Sequence, residues 1–277
     1  MSGAMRYVKQ IAGMMTALSL SGAVAVALFL CDDPVGVSDG LRWLRKDKED
    51  ESRLSAIPIL LYHNIDGKGP FSITRDVLEE HFRMIRERGV RVITVHEMLS
   101  RLGRRTRYDA PSLAITFDDG YPAMYTKLLP LTKRYGYPVT LFVYLNAVAP
   151  NGSKRLTWNA LRIMDASGID IQCHSIRHED LSVLSKKNDE NSKRRLYEEL
   201  YLSRRVMELY LNKKIDLFAF PYGRYDVQLL ELARHAGYRR VFSTDYGSNV
   251  ITRDNYCLRR QHIKNTYALT RLESIIK

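Results

Sequence analysis

Short apolar runs alternate with amphipathic stretches from residue 57 to the end of the chain. The runs are rich in Ile, Leu, Val and Phe, which is typical of buried strands. In the stretches between them apolar residues recur with helical spacing, and several of these stretches end at glycine. Strands are predicted over residues 57–61, 90–95, 112–117, 139–144, 169–173, 215–220, 241–244 and 256–263. Helices are predicted over residues 74–88, 122–135, 157–166, 189–211 and 226–236, with a short one ending at 102 and a last one from 269.

This alternation indicates an α/β fold, in which a parallel sheet is covered by helices on its outer side. No repeat or break in composition divides residues 57–277, which are therefore predicted to form one domain. The number of strand and helix units favours a closed or nearly closed (β/α) barrel over two open sheets. In such barrels the chemistry takes place at the carboxyl ends of the strands.

A membrane signal, either an anchor or a signal peptide, is predicted over residues 1–31. An uncharged stretch over residues 11–30 has basic residues before it and acidic residues after it, which predicts a cytoplasmic N-terminus and an exported remainder. We favour an uncleaved anchor, because cleavage after Ala27 leaves an apolar Leu-Phe-Leu segment at the new N-terminus. A cleaved signal peptide and lipidation at Cys31 are the alternatives. Residues 32–56 are highly charged and predict a linker between membrane and domain.

The net charge of +12 at pH 7 excludes few of the possible functions. The sequence has no zinc-finger, helix-turn-helix or RNA-binding signature, so nucleic acid is not predicted as a partner. A basic surface suits an anionic membrane or cell-envelope polymer, but we favour the simpler interpretation of a solvated surface that keeps the protein soluble. The three cysteines are too widely spaced for a disulfide framework, although one Cys173–Cys257 bridge stays possible.

Candidate chemistry follows the strands. The strand "SLAITF" runs into Asp118, Asp119 and Gly120. Side chains alternate along an extended chain, so the two carboxylates are expected to point in different directions and to do different work. Acidic residues that complement the dipole of a following helix are the alternative, and they explain one aspartate more easily than two.

Two further strand ends carry polar groups. The strand "IDIQC" runs into His174 and His178, and two imidazoles with one carboxylate suit a catalytic zinc site that keeps positions open for water and substrate. The alternative for this pair is a surface turn. The strand "IDLFAF" runs into the turn Pro221-Tyr222-Gly223, whose Tyr222 N–H is a candidate donor to a developing oxyanion. The alternative is simply a tight turn.

Together, "TFDDG" at 116–120, "HSIRH" at 174–178 and "PYG" at 221–223 resemble the motifs of the polysaccharide deacetylase family, also called the NodB-homology domain or carbohydrate esterase family 4. The motifs occur in the family's order, each after a strand, and the resemblance covers roughly residues 57–277. It implies the family's distorted (β/α) barrel.

The resemblance also implies a role for each residue. Asp118 corresponds to the general base. Asp119, His174 and His178 correspond to the ligands of a divalent metal, most often zinc. The backbone N–H of Tyr222 corresponds to the group that helps to hold the oxyanion.

The general acid of the family is commonly a histidine in a Leu-x-His motif near the C-terminal end of the domain. The chain has this motif at its beginning instead, as Leu61-Tyr62-His63 in "ILLYHNI". A closed barrel has no privileged first strand, so a circularly permuted chain can begin there and keep the site. This order is similar to that of deacetylases acting on poly-β-1,6-N-acetylglucosamine, and it gives His63 the role of general acid.

One family position is changed. An arginine usually lies two residues before the proline of the third motif, and here that position is Ala219. Arg260, on another strand, is the candidate to supply the missing guanidinium; the alternative is a solvated surface charge.

The resulting expectation is an exported or membrane-anchored, metal-dependent enzyme that removes N-acetyl groups from a β-linked N-acetylglucosamine polymer. Peptidoglycan, chitin and acetylated xylan are alternative substrates, because the catalytic residues do not identify the sugar linkage. A catalytically silent polysaccharide-binding module is the alternative outside enzymes.

Overall fold

The computed structural model describes residues 56–100, 110–149, 154–187, 189–249, 255–265 and 268–276. Strands β1 to β10 span Ile59–Tyr62, Arg91–Val92, Ser112–Phe117, Val139–Val143, Val148–Ala149, Leu156–Thr157, Ile169–Cys173, Leu217–Ala219, Arg240–Tyr246 and Cys257–His262. Helices α1 to α9 span Arg75–Glu87, Val95–Ser100, Leu129–Tyr135, Trp158–Ala166, Leu181–Lys187, Glu190–Tyr197, Ser203–Leu211, Val227–His235 and Ala268–Ile275.

The main sheet closes on itself. Its strands follow the order β1-β10-β9-β8-β7-β4-β3, and β1 also pairs with β3, so these seven described strands form a ring. All pairings in the ring are parallel. The predicted α/β barrel is therefore confirmed, and the carboxyl ends of its strands meet at one rim.

Side chains alternate between the inside of the ring and the surrounding helices. In β1, Ile59 belongs to an inner cluster with Ala114, Phe142 and Phe242, whereas Leu60 belongs to the larger cluster between strands and helices. Burial of large apolar side chains on both faces stabilises the barrel, since each contributes about 1.5–3 kcal/mol. Helix α2 adds Val95, Met98 and Leu99 to the inner cluster and closes the end where the strands begin.

Local signals position the helices. Thr74 caps α1 by accepting a hydrogen bond from the Val77 amide, and Thr157, Asp189 and Asp226 cap α4, α6 and α8 in the same way. Each cap satisfies one of the amides that a helix leaves unpaired at its start.

Three predicted elements differ from the structure. The strand expected over 90–95 is limited to β2, Arg91–Val92, because α2 already begins at Val95. The helix expected over 122–135 starts with a π-helical turn, Met124–Leu128, before α3. The long helix expected over 189–211 is interrupted by a second π-helical turn, Glu198–Leu202, and α5 was not predicted.

Several sequence predictions lie outside the described residues, namely the membrane signal over 1–31 and nearly all of the linker over 32–56. Within the described part of the chain, no helix is long and apolar enough to cross a bilayer. Cys173 and Cys257 are both free thiols, so the structure contains no bridge between them.

Candidate active site

The Asp118 carboxylate is fixed inside the upper end of the barrel. It follows β3, its amide donates to the Tyr62 carbonyl at the end of β1, and only 2% of the residue is exposed. Arg260, which is fully buried, donates from both terminal nitrogens to the two carboxylate oxygens over 2.8 and 2.7 Å. Burial raises the pKa of the Asp118 carboxyl, but Arg260 and His174 outweigh this effect and the net pKa lies below its usual value. The carboxylate is thus ionised and oriented.

Arg260 is itself tightly held. Its Nε atom donates to the Ser243 carbonyl over 2.9 Å, and its guanidinium lies 5.6 Å from the centre of the Phe142 ring. Strand alternation in β10 turns Arg260 into the barrel while Arg259 is exposed. The structure therefore places a guanidinium on Asp118 although Ala219 occupies the family's arginine position.

Asp119 faces the two histidines. Its Oδ1 atom lies 3.4 Å from Nε2 of His174 and 3.1 Å from Nε2 of His178. The residue adopts a positive φ of 76° and is followed by Gly120 at 81°. This turn separates the two adjacent carboxylates, as expected from the sequence, so that one meets Arg260 and the other the histidines.

The segment carrying the histidines is held by a buried carboxylate that was not predicted from the sequence. Glu199, in the second π-helical turn, accepts hydrogen bonds from the amides of Ile176 and Arg177 over 2.7 and 3.1 Å. It also pairs with the Arg177 guanidinium over 2.6 Å. These contacts stabilise a loop in which Ser175 and His178 have positive φ values of 77° and 57°. A π-helical turn at a functional site is a recurring feature, and here it presents Glu199 to the loop.

These three side chains fit a divalent metal. One ligand atom from each of Asp119, His174 and His178 lies within 4.8 Å of the others. The buried Oδ1 atom of Asp119 has no hydrogen-bond partner among the described residues. His174 Nδ1 lies 2.7 Å from the Ala219 carbonyl, which assigns its proton to Nδ1 and leaves the Nε2 lone pair facing Asp119. Two imidazoles and a carboxylate form the donor set of many catalytic zinc sites.

The electrostatics of the triad agree with this geometry. Burial raises the pKa of Asp119, but the neighbouring imidazoles of His174 and His178 outweigh this effect and the net pKa is lowered. Burial lowers the pKa of His174, and the nearby Asp118 and Asp119 carboxylates reverse this, so the net pKa is raised. A concentration of negative charge that raises the pKa of an adjacent imidazole also attracts a cation.

Tyr222 lies in the turn Pro221–Gly223 directly after β8, with a φ of 58° and a ψ of 3°. Its ring contacts that of His178, with the centroids 4.8 Å apart, so the turn borders the triad. Gly223 is required here, because its φ is 69° and an added Cβ would lie 2.4 Å from the Thr244 nitrogen.

His63 lies at the same rim, just after β1. Its ring stacks on that of His262 at the end of β10, with centroids 4.9 Å apart, and Phe71 contacts both rings. Burial lowers the pKa of His63, while Asp118 and Asp119 partly oppose that effect. Its Nδ1 atom is buried without a partner among the described residues. This nitrogen is therefore available to a group of the substrate.

Two clefts flank these groups. One, of about 260 Å³, is lined by Asp119, Tyr121, Tyr144, Lys154 and neighbouring residues. The other, of about 640 Å³, lies beside His262 and Thr244. The site is therefore open on two sides of the barrel rim, which suits an extended ligand.

Residues 105–241 match the family model described as polysaccharide deacetylase, and this region contains all three motifs. The chain belongs to this family and is a polysaccharide deacetylase enzyme, as the motifs predict. A silent binding module is thereby the weaker of the two expectations.

Two curated relatives illustrate the match. YxkH of Bacillus subtilis (strain 168), whose name assigns it to this family, is 25% identical over 226 residues, which cover 81% of this chain and 76% of YxkH. The poly-β-1,6-N-acetyl-D-glucosamine N-deacetylase of Staphylococcus aureus (strain MSSA476) is 23% identical over 183 residues. That alignment covers 63% of this chain and 62% of the staphylococcal protein.

Solved structures share the fold. The deacetylase PplD of Streptococcus pyogenes, solved with acetate, superposes with a TM-score of 0.70 at 21% identity, covering 80% of this chain and 99% of PplD. IcaB of Ammonifex degensii gives a TM-score of 0.69 at 22% identity, covering 80% and 97% of the two chains. At these identities the likeness establishes the barrel.

Proposed function

We propose that the chain is a metal-dependent N-deacetylase of a β-linked N-acetylglucosamine exopolysaccharide, with poly-β-1,6-N-acetylglucosamine as the preferred substrate. The observation that carries the proposal is the pairing of two differently held carboxylates: Asp118 on Arg260, and Asp119 on His174 and His178. The name of the staphylococcal relative supports the substrate.

Hydrolysis of an acetamide needs an activated water, a stabilised oxyanion and a protonated leaving amine. Asp119, His174 and His178 would hold a divalent metal such as Zn²⁺, which would supply Lewis acidity to the acetamide carbonyl and to the attacking water. Asp118 accepts the proton of the attacking water, and Arg260 keeps its carboxylate ionised and oriented for that transfer.

Two other groups complete the reaction. The Tyr222 N–H donates to the carbonyl oxygen as negative charge develops on it. His63 then donates a proton to the sugar nitrogen as the C–N bond breaks, which releases acetate and a free amine. The strand order supports this division of work, because β1, which precedes His63, lies across the ring from β7, which precedes His178.

We propose further that the chain has the permuted strand order. Its first strand, β1, lies between β3 and β10, and His63 follows it. Superposition on a family member whose Leu-x-His motif is near the C-terminus is expected to bring that histidine onto His63. If that histidine superposes on a different position of the rim, the permutation would be contradicted.

An exported, membrane-anchored location is a separate proposal, supported by the uncharged stretch over 11–30. The cell-derived protein is expected to remain full length and to stay with membranes after a high-salt wash. A mature N-terminus at or near Val26 or Leu28 would instead show cleavage.

Acetate release tests the enzymatic proposal. Purified residues 52–277 are incubated separately with β-1,6-linked and β-1,4-linked N-acetylglucosamine oligomers and with acetylated xylan, each with and without a chelator. We expect chelator-sensitive release that is faster from the β-1,6 series. Faster release from the β-1,4 series would favour chitin or peptidoglycan, release from acetylated xylan alone would favour an esterase, and chelator-resistant release would contradict metal dependence.

A further inference from the structure

The larger cleft beside the active site is polar and carries positive charge. It has a volume of about 640 Å³ and is lined by Thr244, Tyr246, His262, Lys264, Thr270, Arg271 and Ser274. Hydroxyl groups and a tyrosine ring are common contacts of sugars, and the volume falls in the range of ligand pockets. Lys264 and Arg271 are the charged residues of this lining.

Neither cation is neutralised by a carboxylate in the described part of the chain. Lys264 lies over the Phe71 ring, with its nitrogen 5.6 Å from the centroid. Arg271 lies over the Tyr246 ring at 4.3 Å and reaches the side-chain oxygen of Gln261 at 3.5 Å.

The nearby acids are engaged elsewhere. Glu273, on the same helix as Arg271, pairs with Arg88. Asp245, next to Tyr246, accepts a hydrogen bond from the Tyr225 hydroxyl over 2.9 Å. Glu273 is thus paired with another cation, and neither Lys264 nor Arg271 has a carboxylate partner among the described residues.

Two residues that line the cleft contact groups assigned to the reaction. His262 lines it and stacks on His63 with centroids 4.9 Å apart. Thr244 lines it too, and its hydroxyl donates to the Tyr222 carbonyl over 3.3 Å. A sugar held in this cleft is thus a neighbour, along the polymer, of the sugar whose acetamide reaches His63 and Tyr222.

We propose that Lys264 and Arg271 make this cleft a subsite that accepts a neutral, still acetylated sugar and rejects one that is already deacetylated. The inference rests on the proposed N-deacetylase function, because that reaction replaces a neutral acetamide with an amine. An amine with a pKa near the about 7.7–8.0 of a terminal amino group is largely protonated at neutral pH. Like charges in a partly desolvated cleft repel each other, so the enzyme produces spaced rather than contiguous free amines.

Defined oligosaccharides test this selection. Pentasaccharides of N-acetylglucosamine, with the linkage that the acetate assay selects, carry one glucosamine at each position in turn. A matched set carries glucose at the same position, which removes the acetamide without adding charge. We expect kcat/KM to be roughly fivefold to tenfold lower for glucosamine than for glucose at the position that occupies the cleft.

Variants and salt assign the effect to the two cations. The glucosamine-to-glucose difference is expected to shrink in Lys264→Gln and in Arg271→Gln and to vanish in the double variant. Lys133→Gln, which removes an exposed cation outside both clefts, is the control and is expected to keep it. In the unmodified enzyme the difference is expected to fall as salt rises, because screening shortens the range of the repulsion.

The outcomes separate the two ideas. Absence of acetate release from every fully acetylated oligomer would overturn the proposed function. Release from these oligomers with equal rates for glucosamine and glucose at every position would overturn the subsite inference alone. A difference that persists in the double variant, or that does not change with salt in the unmodified enzyme, would also overturn it.

Discussion

The Arg260 guanidinium makes two hydrogen bonds to the Asp118 carboxylate, although the two residues are 142 positions apart. The pair links the end of β3 to β10 across the inside of the barrel. Charge-assisted bonds from two nitrogens to two oxygens fix the orientation of the carboxylate as well as its charge. The Asp118 carboxylate is therefore held in one orientation by Arg260.

Replacing Arg260 with lysine is expected to lower kcat by roughly 10²-fold, because a single ammonium cannot hold both oxygens and a small misplacement of a catalytic group has effects of this size. Metal content is expected to be unchanged. Arg259→Lys on the same strand, at an exposed position, is the matched control. Unchanged turnover in Arg260→Lys would show that the pair is structural.

The metal triad and the base are separable by substitution. His178→Ala is expected to lower metal content and activity together, since it removes one of three ligands. Asp118→Asn is expected to keep the metal and to lose roughly 10² to 10⁴-fold in turnover, the usual range for a general base. Metal analysis and acetate release on the same samples check both. Loss of metal from the Asp118→Asn variant would indicate that Asp118 is the metal ligand and Asp119 the base.

Glu199 is expected to act through the loop that presents His178. Glu199→Gln removes the ion pair with Arg177 and weakens the acceptor of two loop amides. Metal affinity is expected to fall about 10- to 100-fold, as for other groups that orient ligands. Glu198→Gln is the control, because Glu198 pairs with the same Arg177 side chain. Equal effects of both substitutions would assign the role to Arg177 alone.

At the opposite end of the barrel, His96 bridges Asp170 and Asp216. Hydrogen bonds to these carboxylates raise the pKa of His96 to about 9. Because the folded pKa lies above the unfolded value of about 6.5, the stabilisation is fully present below pH 6.5 and is lost as pH rises through 9.

His96→Gln is therefore expected to lower Tm more at about pH 6 than at about pH 10. Thermal unfolding of both proteins at both pH values measures this difference. His235→Gln, at an exposed position, controls for the loss of a histidine. An equal loss of Tm at the two pH values would mean that the charge on His96 does not contribute.

The parts of the fold and site that are local in sequence could be predicted. Asp118 and Asp119 directly follow a strand whose bounds, Ser112–Phe117, agree with the apolar run, and His174 follows Ile169–Cys173 in the same way. Parallel strands in a closed sheet bring such ends together, so the pattern alone indicates a common rim. The roles of these residues remain predictions.

Contacts between segments that are distant in sequence could not be predicted in the same way as the local elements. Arg259 and Arg260 are identical in type and adjacent, and only the closed barrel decides that Arg260 points inward to Asp118. The long helix over 189–211 has helical spacing throughout, but its π-helical turn turns Glu199 toward amides 22 and 23 positions away. The spacing of apolar residues reports local preference only. The direction of Arg260 and the π-helical turn at Glu199 are set by tertiary contacts, which the spacing does not contain.

The role of His63 can be tested directly, because its position and its neighbours favour a general acid over a metal ligand. Its ring contacts those of His262 and Phe71, and it is absent from the triad of possible ligands. An acid matters most when the leaving group is poor. His63→Ala is therefore expected to keep its metal and to lose roughly 10² to 10⁴-fold on an N-acetylglucosamine oligomer. On an activated phenyl acetate, whose leaving group needs little protonation, the loss is expected to be much smaller.

Phe71→Ala, which removes the other ring stacked on His262, controls for disturbance of the cluster. Equal losses of His63→Ala on both substrates would favour a structural role, and no loss on either would leave His63 as a partly buried histidine at the end of a strand.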